Sequence, residues 1–227
     1  MNATLRSLTT PLALGLVLLA AGCGALPDKP QRATLYDFGP GVPAASATGA
    51  SVSAAAQATL PTLALAEFEA NARLDGTQIL YRLGYADANE LRPYGQSRWS
   101  LPPAQLLRQR LRDTLSERRM VLGPEESATI ARSKGDVPDM LRISLDEFSH
   151  YFESPGASTG LVRLRATLIR GTAGGDRVLG QRLFTVRRPA ASADAPGGVK
   201  ALIASSDAAV AEVVQWVDQL QQQQPRQ

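Results

Sequence analysis

Apolar and polar residues alternate along three consecutive segments in the second half of the chain. The alternation runs through Leu141–Asp146, Val162–Leu168 and Val178–Arg187, and the first strand is expected to extend to Phe152. A period of two places successive side chains on opposite faces of a β-strand, so each segment predicts a strand with one apolar and one polar face. Turns are predicted between them, at Glu153–Thr159 and Gly171–Gly175. The pattern therefore predicts an antiparallel meander of three strands that is covered on one side only.

Two other segments repeat their apolar residues at helical spacing. The first begins at Pro102, because proline is tolerated in the opening turn of a helix, and is expected to end near Arg118. The second spans Val199–Leu220, follows a polar turn at Ala190–Gly198 and precedes a glutamine tail, Gln221–Gln224, that is predicted to fray. With the meander, these helices predict an α+β fold, an antiparallel β-sheet with two helices packed on one face.

Earlier in the chain the apolar runs are shorter, and turn residues interrupt them. Strands or extended runs are predicted at Thr34–Phe38, Thr62–Phe68, Gln78–Leu83, Leu91–Trp99 and Met120–Leu122. The fourth of these contains Pro93 and Gly95 and is expected to be irregular. Residues 39–59 are rich in alanine and serine and carry no charge, so they are predicted to form a flexible insertion.

The first 22 residues have the three parts of a secretory signal peptide: a short basic start, an apolar stretch too short to span a bilayer, and small residues before Cys23. Cys23 is the only cysteine in the chain. Small residues followed by cysteine are similar to the lipobox of bacterial lipoproteins, in which the thiol takes a diacylglyceryl group. Cleavage, here between Gly22 and Cys23, then frees an amine for a further acyl chain such as palmitate. A chance cysteine in an ordinary signal peptide is the alternative.

This hypothesis divides the chain into a lipoprotein signal peptide at 1–22, a lipidated tether at 23–33, a domain at 34–222 and a disordered tail at 223–227. Two or three acyl chains anchor a protein stably, so the domain is expected to be attached to a membrane without spanning it. In enteric bacteria an aspartate after the cysteine retains a lipoprotein at the inner membrane, whereas Gly24 follows here. Resemblance to that sorting pattern predicts the periplasmic face of the outer membrane of a Gram-negative bacterium.

Composition narrows the chemistry that the chain can perform. The formal net charge is +3, and no stripe of basic residues with interleaved aromatics occurs, so no nucleic-acid partner is predicted. Acylation of Cys23 leaves no thiol for a disulfide or for a metal site built on cysteine. The chain has a single histidine, His150, which argues against a metal site built on several histidines. The sequence also lacks the glycine-rich phosphate loops. We therefore predict no metal and no cofactor.

One hydrolase pattern, G-x-S-x-G, occurs at Gly156–Gly160 and centres on Ser158. That chemistry needs the serine on a strand-to-helix turn with the histidine downstream, whereas Ser158 lies between two predicted strands and His150 precedes it. A hairpin turn of small residues is the favoured interpretation, and His150 is interpreted as a structural histidine among aromatic residues. We predict no catalytic residues and no enzyme activity, with a lipid-anchored periplasmic serine hydrolase as the alternative.

A set of short motifs follows the lipobox in a fixed order. The motifs are Tyr36-Asp37-Phe38, Tyr81, Tyr94, Arg98-Trp99, Leu106-Leu107, Leu145-Asp146-Glu147-Phe148, Phe184 and Trp216-Val217. With Cys23, this ordered set resembles the ABC-type transport auxiliary lipoproteins, the family that includes the paraquat-inducible protein C type. Residues 39–59 depart from the family pattern.

The resemblance implies a non-catalytic role beside an ABC transporter that carries a mammalian-cell-entry domain protein and moves lipids between the inner and outer membranes. The auxiliary lipoprotein is expected to dock the periplasmic conduit at the outer membrane, sometimes as a homo-oligomeric ring. Its expected partners are the mammalian-cell-entry domain protein and the transporter's permease and ATPase. A structural envelope lipoprotein without a transporter partner is the remaining alternative.

Overall fold

The computed structural model describes residues 32–40, 60–127, 129, 137–172 and 175–223. The strands are β1 (Thr34–Tyr36), β2 (Leu63–Leu65), β3 (Glu69–Ala70), β4 (Gln78–Leu83), β5 (Asp87–Trp99), β6 (Val121–Leu122), β7 (Asp139–Ser154), β8 (Ala157–Thr172) and β9 (Gly175–Pro189). The longer helices are α1 (Pro103–Ser116) and α2 (Ala195–Gln223), and a 3₁₀ helix at Ala72–Leu74 connects β3 to β4. The predicted signal peptide with Gly22, the lipidation site Cys23, most of the predicted tether and insertion, and residues 224–227 lie outside the described residues.

The predicted meander is confirmed in the last three strands. β7 pairs antiparallel with β8, and β8 pairs antiparallel with β9. Leu141 lies opposite Leu168, and Leu164 lies opposite Phe184, so the buried face is apolar across all three strands. β7 extends to Ser154 and β8 begins at Ala157, so the predicted seven-residue turn was too long: most of it belongs to the two strands.

The alternation of buried and exposed side chains changes phase in the middle of β7. Leu145 pairs with Leu164, but the next paired residue is Glu147, opposite Arg163, so Asp146 is an extra residue in the ladder. Such a β-bulge moves every following side chain to the other face. The buried apolar residues accordingly switch from odd positions up to Leu145 to even positions from Phe148 onward.

The sheet as a whole is mixed, which corrects the prediction of an antiparallel sheet. The edge of β7 away from β8 pairs in parallel with three strands in turn, β2, β3 and β4. The pairs β1–β5 and β2–β6 are also parallel, and only β4–β5 is antiparallel among the N-terminal strands. Alternation predicts which side chains share a face but not the direction of the neighbouring strand, because both kinds of ladder have a period of two.

Other N-terminal predictions need smaller corrections. β4 has the predicted bounds, whereas the strand predicted over Thr62–Phe68 is the short β2 followed by a separate β3. The segment expected to be irregular around Pro93 is instead part of the continuous strand β5. Irregularity is present as register shifts between β4 and β5. The described part of the chain therefore has an α+β fold with a nine-stranded mixed sheet.

Both helices bury an apolar stripe in the same hydrophobic core. α1 buries Leu107, Leu111 and Leu115, and α2 buries Val213 and Val217. Full burial of such a side chain stabilises the fold by about 1.5–3 kcal/mol. α2 contacts β7, β8, β9 and α1. The prediction that both helices lie on one face of the sheet stays a prediction.

The start of α2 lies earlier than its apolar stripe indicated. The helix begins at Ala195, so the predicted turn at Ala190–Gly198 contains its first residues. Gly198 lies against the ring of His150, because a Cβ added there would come 2.6 Å from the His150 Cγ atom. The missing side chain therefore lets the helix backbone lie directly on β7.

The end of α2 is fixed by buried polar contacts, so the prediction that Gln221 frays is wrong. The Gln221 amide donates to an Asp139 carboxylate oxygen at 3.1 Å and accepts from Arg119 at 2.6 Å. Arg119 also contacts Asp218, and Arg170 donates two hydrogen bonds to Asp139 at 2.9 and 3.0 Å. These contacts join α2 to β7, to β8 and to the segment after α1.

Candidate functional site

Ser158 and His150 are brought together in the β7–β8 hairpin. The Ser158 Oγ atom lies 2.7 Å from the His150 Nε2 atom. Ser158 is the second residue of β8, opposite Phe152 of β7, so it does not lie in a loop as the sequence indicated. The spacing of a serine nucleophile and its base is present, but the strand-to-helix turn of the hydrolases is not.

The other ring nitrogen of His150 contacts a tyrosine. The Tyr94 hydroxyl, carried by β5, lies 2.8 Å from the His150 Nδ1 atom. Sequence reasoning missed this contact, since 56 residues separate the two positions and no local pattern joins them. In a serine hydrolase a carboxylate occupies this position and stabilises the imidazolium. A tyrosine hydroxyl carries no charge at this position, because burial raises the pKa of Tyr94 above its ordinary value.

The Tyr94–His150–Ser158 chain is enclosed. His150 is fully buried and Ser158 is only 7% exposed. Burial lowers the pKa of His150 from 6.5 to about 4, although the charges of Asp194 and Glu153 oppose the shift. The imidazole is therefore neutral near pH 7, with one nitrogen donating and the other accepting. The arrangement satisfies three polar side chains inside the sheet, as buried polar groups require.

A second buried polar cluster centres on Glu147, next to the bulge in β7. Arg82 of β4 donates to both carboxylate oxygens, at 3.1 and 3.2 Å, and Arg73 approaches at 3.4 Å. Burial raises the pKa of Glu147, but the hydrogen bonds and charges of the two arginines outweigh it and hold the pKa below its ordinary value. No sequence motif assigned this acidic residue a role in the cluster. The change of phase between Leu145 and Phe148 was the available signal for the bulge that places it here.

Two recesses open on the surface. A groove of about 550 Å³ lies beside the bulge, and its lining includes Arg73, Asp146, Arg163, Arg165 and Leu183. The second recess has about 420 Å³, and its lining includes Phe38, Leu101, Gln109, Arg110 and Asp113. Each has an exposed apolar side chain, Leu183 at 49% and Leu101 at 43%, but the first is lined by three arginines and the second by one.

Within the described part of the chain, no three His, Cys, Asp or Glu side chains are grouped so that they could hold a metal ion. None of the helices described is both long and apolar enough to cross a bilayer.

A family model matches residues 44–222 and is described as "ABC-type transport auxiliary lipoprotein component". A search of the curated proteins gave no match. Among solved structures, the chain is similar to a Xanthomonas campestris protein assigned to family DUF330, with 20% identity, a TM-score of 0.61, and coverage of 74% of this chain and 91% of that one. It is also similar to an uncharacterised protein at 15% identity and a TM-score of 0.52, covering 69% of this chain and 92% of that one.

A hypothetical protein from Chlamydia trachomatis is more distant, with 8% identity, a TM-score of 0.49, and coverage of 70% of this chain and 95% of that one. At these identities the first two structures show the fold alone. The family match extends from before β2 to the penultimate residue of α2 and so contains the Tyr94–His150–Ser158 chain and the Glu147 cluster.

Proposed function

From the premise that this chain belongs to the family of ABC-type transport auxiliary lipoprotein components, we propose that it is a non-catalytic subunit of a system that transports lipid between the two membranes of a Gram-negative envelope. The resemblance noted in the sequence suggests a mammalian-cell-entry domain protein as its direct partner. The single observation that carries the proposal is the family match over residues 44–222, which includes eight of the nine strands and both long helices.

We also propose an anchor at Cys23. The lipobox-like sequence before it supports acylation, and two or three acyl chains attach a protein stably to a bilayer. Gly24 supports sorting to the outer membrane, where the domain would face the periplasm. Attachment restricts the domain to one membrane surface and so raises its effective concentration at the end of a conduit.

The test is recovery of the transporter with the tagged native lipoprotein from detergent-solubilised envelope. We expect the permease, the ATPase and a mammalian-cell-entry domain protein to be enriched over an untagged strain, as measured by mass spectrometry. Recovery of the lipoprotein without any transporter subunit would contradict the proposal and favour a structural envelope lipoprotein.

A serine hydrolase is the second candidate function, and the 2.7 Å contact between Ser158 and His150 is the observation that favours it. A fluorophosphonate probe labels the serine of an active hydrolase covalently. We expect no labelling of the native lipoprotein at Ser158 and full transport function in the Ser158→Ala variant, because the serine is almost fully buried. Labelling at Ser158, with loss of function in the alanine variant, would favour the enzyme.

A further inference from the structure

β9 forms one edge of the sheet. Among the described residues its only strand partner is β8. An edge strand presents a row of backbone N–H and C=O groups that can pair with another chain. From Gly180 to Pro189 the register of β9 against β8 has no shift, so this part offers ten regularly spaced residues.

The edge is strongly basic. Between Ala157 and Pro189, which cover β8 and β9, the sequence has seven arginines and one acidic residue, Asp176. Four of these arginines lie on β9: Arg177, Arg182, Arg187 and Arg188. Arg177 and Arg188 are exposed and have no ion-pair partner among the residues described. Arg165, Arg170 and Arg187 form ion pairs with Asp146, Asp139 and Glu153. Among the described residues, the uncompensated charge of β9 is therefore that of Arg177, Arg182 and Arg188.

Apolar side chains are exposed among these arginines. Val178 is 59% exposed and Leu183 is 49% exposed. Leu183 also lines the 550 Å³ groove that Arg163 and Arg165 share. Protection against edge-to-edge aggregation is one explanation for charged side chains on an edge strand. That explanation does not account for the two exposed apolar side chains, whereas a binding surface uses both kinds of group.

We infer that β9 is a docking edge for an extended acidic segment of a partner protein, which adds to the sheet as a further strand. Backbone hydrogen bonds would supply affinity, and alternate acidic and apolar side chains would meet the arginines and Leu183. The chain enters the sheet at β1, the opposite edge, which is five strand spacings or roughly 24 Å away. The backbone groups on the outer edge of β9 favour a protein strand over the lipid surface, because a lipid head group cannot pair with a row of N–H and C=O groups.

This inference deepens the proposed function, on which it rests for the identity of the partner. A photo-crosslinking amino acid is placed in the full-length lipoprotein, in its own bacterium, at Gln181, Leu183 or Thr185. These three positions lie two residues apart on one face of β9. Met120, which is 62% exposed and lies before β6, is the control position. Mass spectrometry then maps the crosslinked residue in the partner.

The expected result is a crosslink to one acidic segment, at positions that shift by two residues with each shift of the probe. Crosslinks to a second copy of this chain, to lipid, or at no higher yield than from Met120 would each overturn the inference. If one of these outcomes is observed while the transporter still co-purifies, the inference about β9 is wrong and the proposed function stands. If the probes map an acidic strand in a protein unrelated to any transporter, the docking edge stands and the proposed function fails.

A charge-reversal pair tests the electrostatic part. Arg177→Glu with Arg188→Glu is expected to lower the crosslink yield from Leu183 about tenfold, since complementary charge controls encounter with a partner. Arg112→Glu with Lys200→Glu makes the same change in net charge at exposed positions on the two helices and is expected to leave the yield unchanged. Equal yields from both variants, with unchanged melting temperatures, would contradict the role of the β9 charges.

Discussion

At the scale of single residues, His150 shows how burial fixes a protonation state. Its neighbours with ionisable or charged groups are Tyr94 on β5, Glu153 on β7 and Asp194 before α2. The two carboxylates favour the charged imidazole, yet burial outweighs them and lowers the pKa to about 4. The folded protein therefore resists protonation of a group that protonates near pH 6.5 when unfolded.

This difference predicts a loss of stability in acid. Between pH 6.5 and 4 the unfolded chain binds a proton that the folded chain does not, so the stability from His150 is present above pH 6.5 and falls as the pH drops. The loss should reach about 3 kcal/mol near pH 4. His150→Asn should be less stable at pH 7.5, because the ring packs against Phe152 at 4.4 Å between centroids, but should lose less in acid. Urea unfolding at several pH values measures both, and parallel pH curves would contradict the assignment.

Glu147 gives a second prediction at this scale, with a matched control. Glu147→Gln should lower the free energy of unfolding by about 3 kcal/mol, since it leaves the largely buried Arg82 without its charge partner. Glu90→Gln removes a carboxylate from a pair whose side chains are 47% and 44% exposed, and should leave the free energy of unfolding nearly unchanged. Urea unfolding at pH 7 compares the two. Equal effects would mean that the Glu147 cluster is no stronger than a surface pair.

At the scale of elements, the close packing of α2 against the sheet depends on Gly160. A Cβ added at Gly160 of β8 would lie 2.6 Å from the Ala201 carbonyl oxygen and would overlap the helix backbone. Gly160→Ala should therefore push the helix away and cost about 3 kcal/mol, or roughly 6–12 °C in melting temperature. Gly156→Ala, in the turn between β7 and β8, has no atom within 4 Å of the new Cβ and should leave the melting temperature nearly unchanged. Similar shifts for both variants would rule out close packing as the cause.

The sequence predicts elements well where one face is buried. The alternation after Leu141 predicted the meander, and helical spacing predicted α1 and most of α2. It could not predict that β7 pairs in parallel with β2, β3 and β4, because those partners are distant in sequence and no local pattern specifies them. The Tyr94–His150 contact was missed for the same reason. The bulge at Asp146 was predictable in principle, since the odd-to-even change of the apolar positions is visible in the sequence.

At the scale of the whole molecule, the proposed attachment to the membrane is the property most open to test. Cys23→Ser removes the thiol that the acyl chain needs. We expect the variant in the soluble periplasmic fraction, because the proposed acyl anchor is lost. Cell fractionation and immunoblotting measure the distribution, with the unchanged lipoprotein as the membrane-bound control. A variant that still sediments with the outer membrane would show that a partner or the domain itself provides attachment.

The central position of β7 determines how the sheet can open. This strand pairs with β8 on one side and, at residues 139–141, 144–145 and 150–152, with β2, β3 and β4 on the other, so the amide hydrogens of these residues cannot exchange with solvent deuterium through fraying of an edge. Exchange there requires the meander to separate from the N-terminal strands, which is close to global unfolding. We expect the slowest deuterium uptake in the middle of β7 and much faster uptake in the outer strand β9. A protein partner seated on β9 would slow exchange in that strand and leave the rates in β7 unchanged.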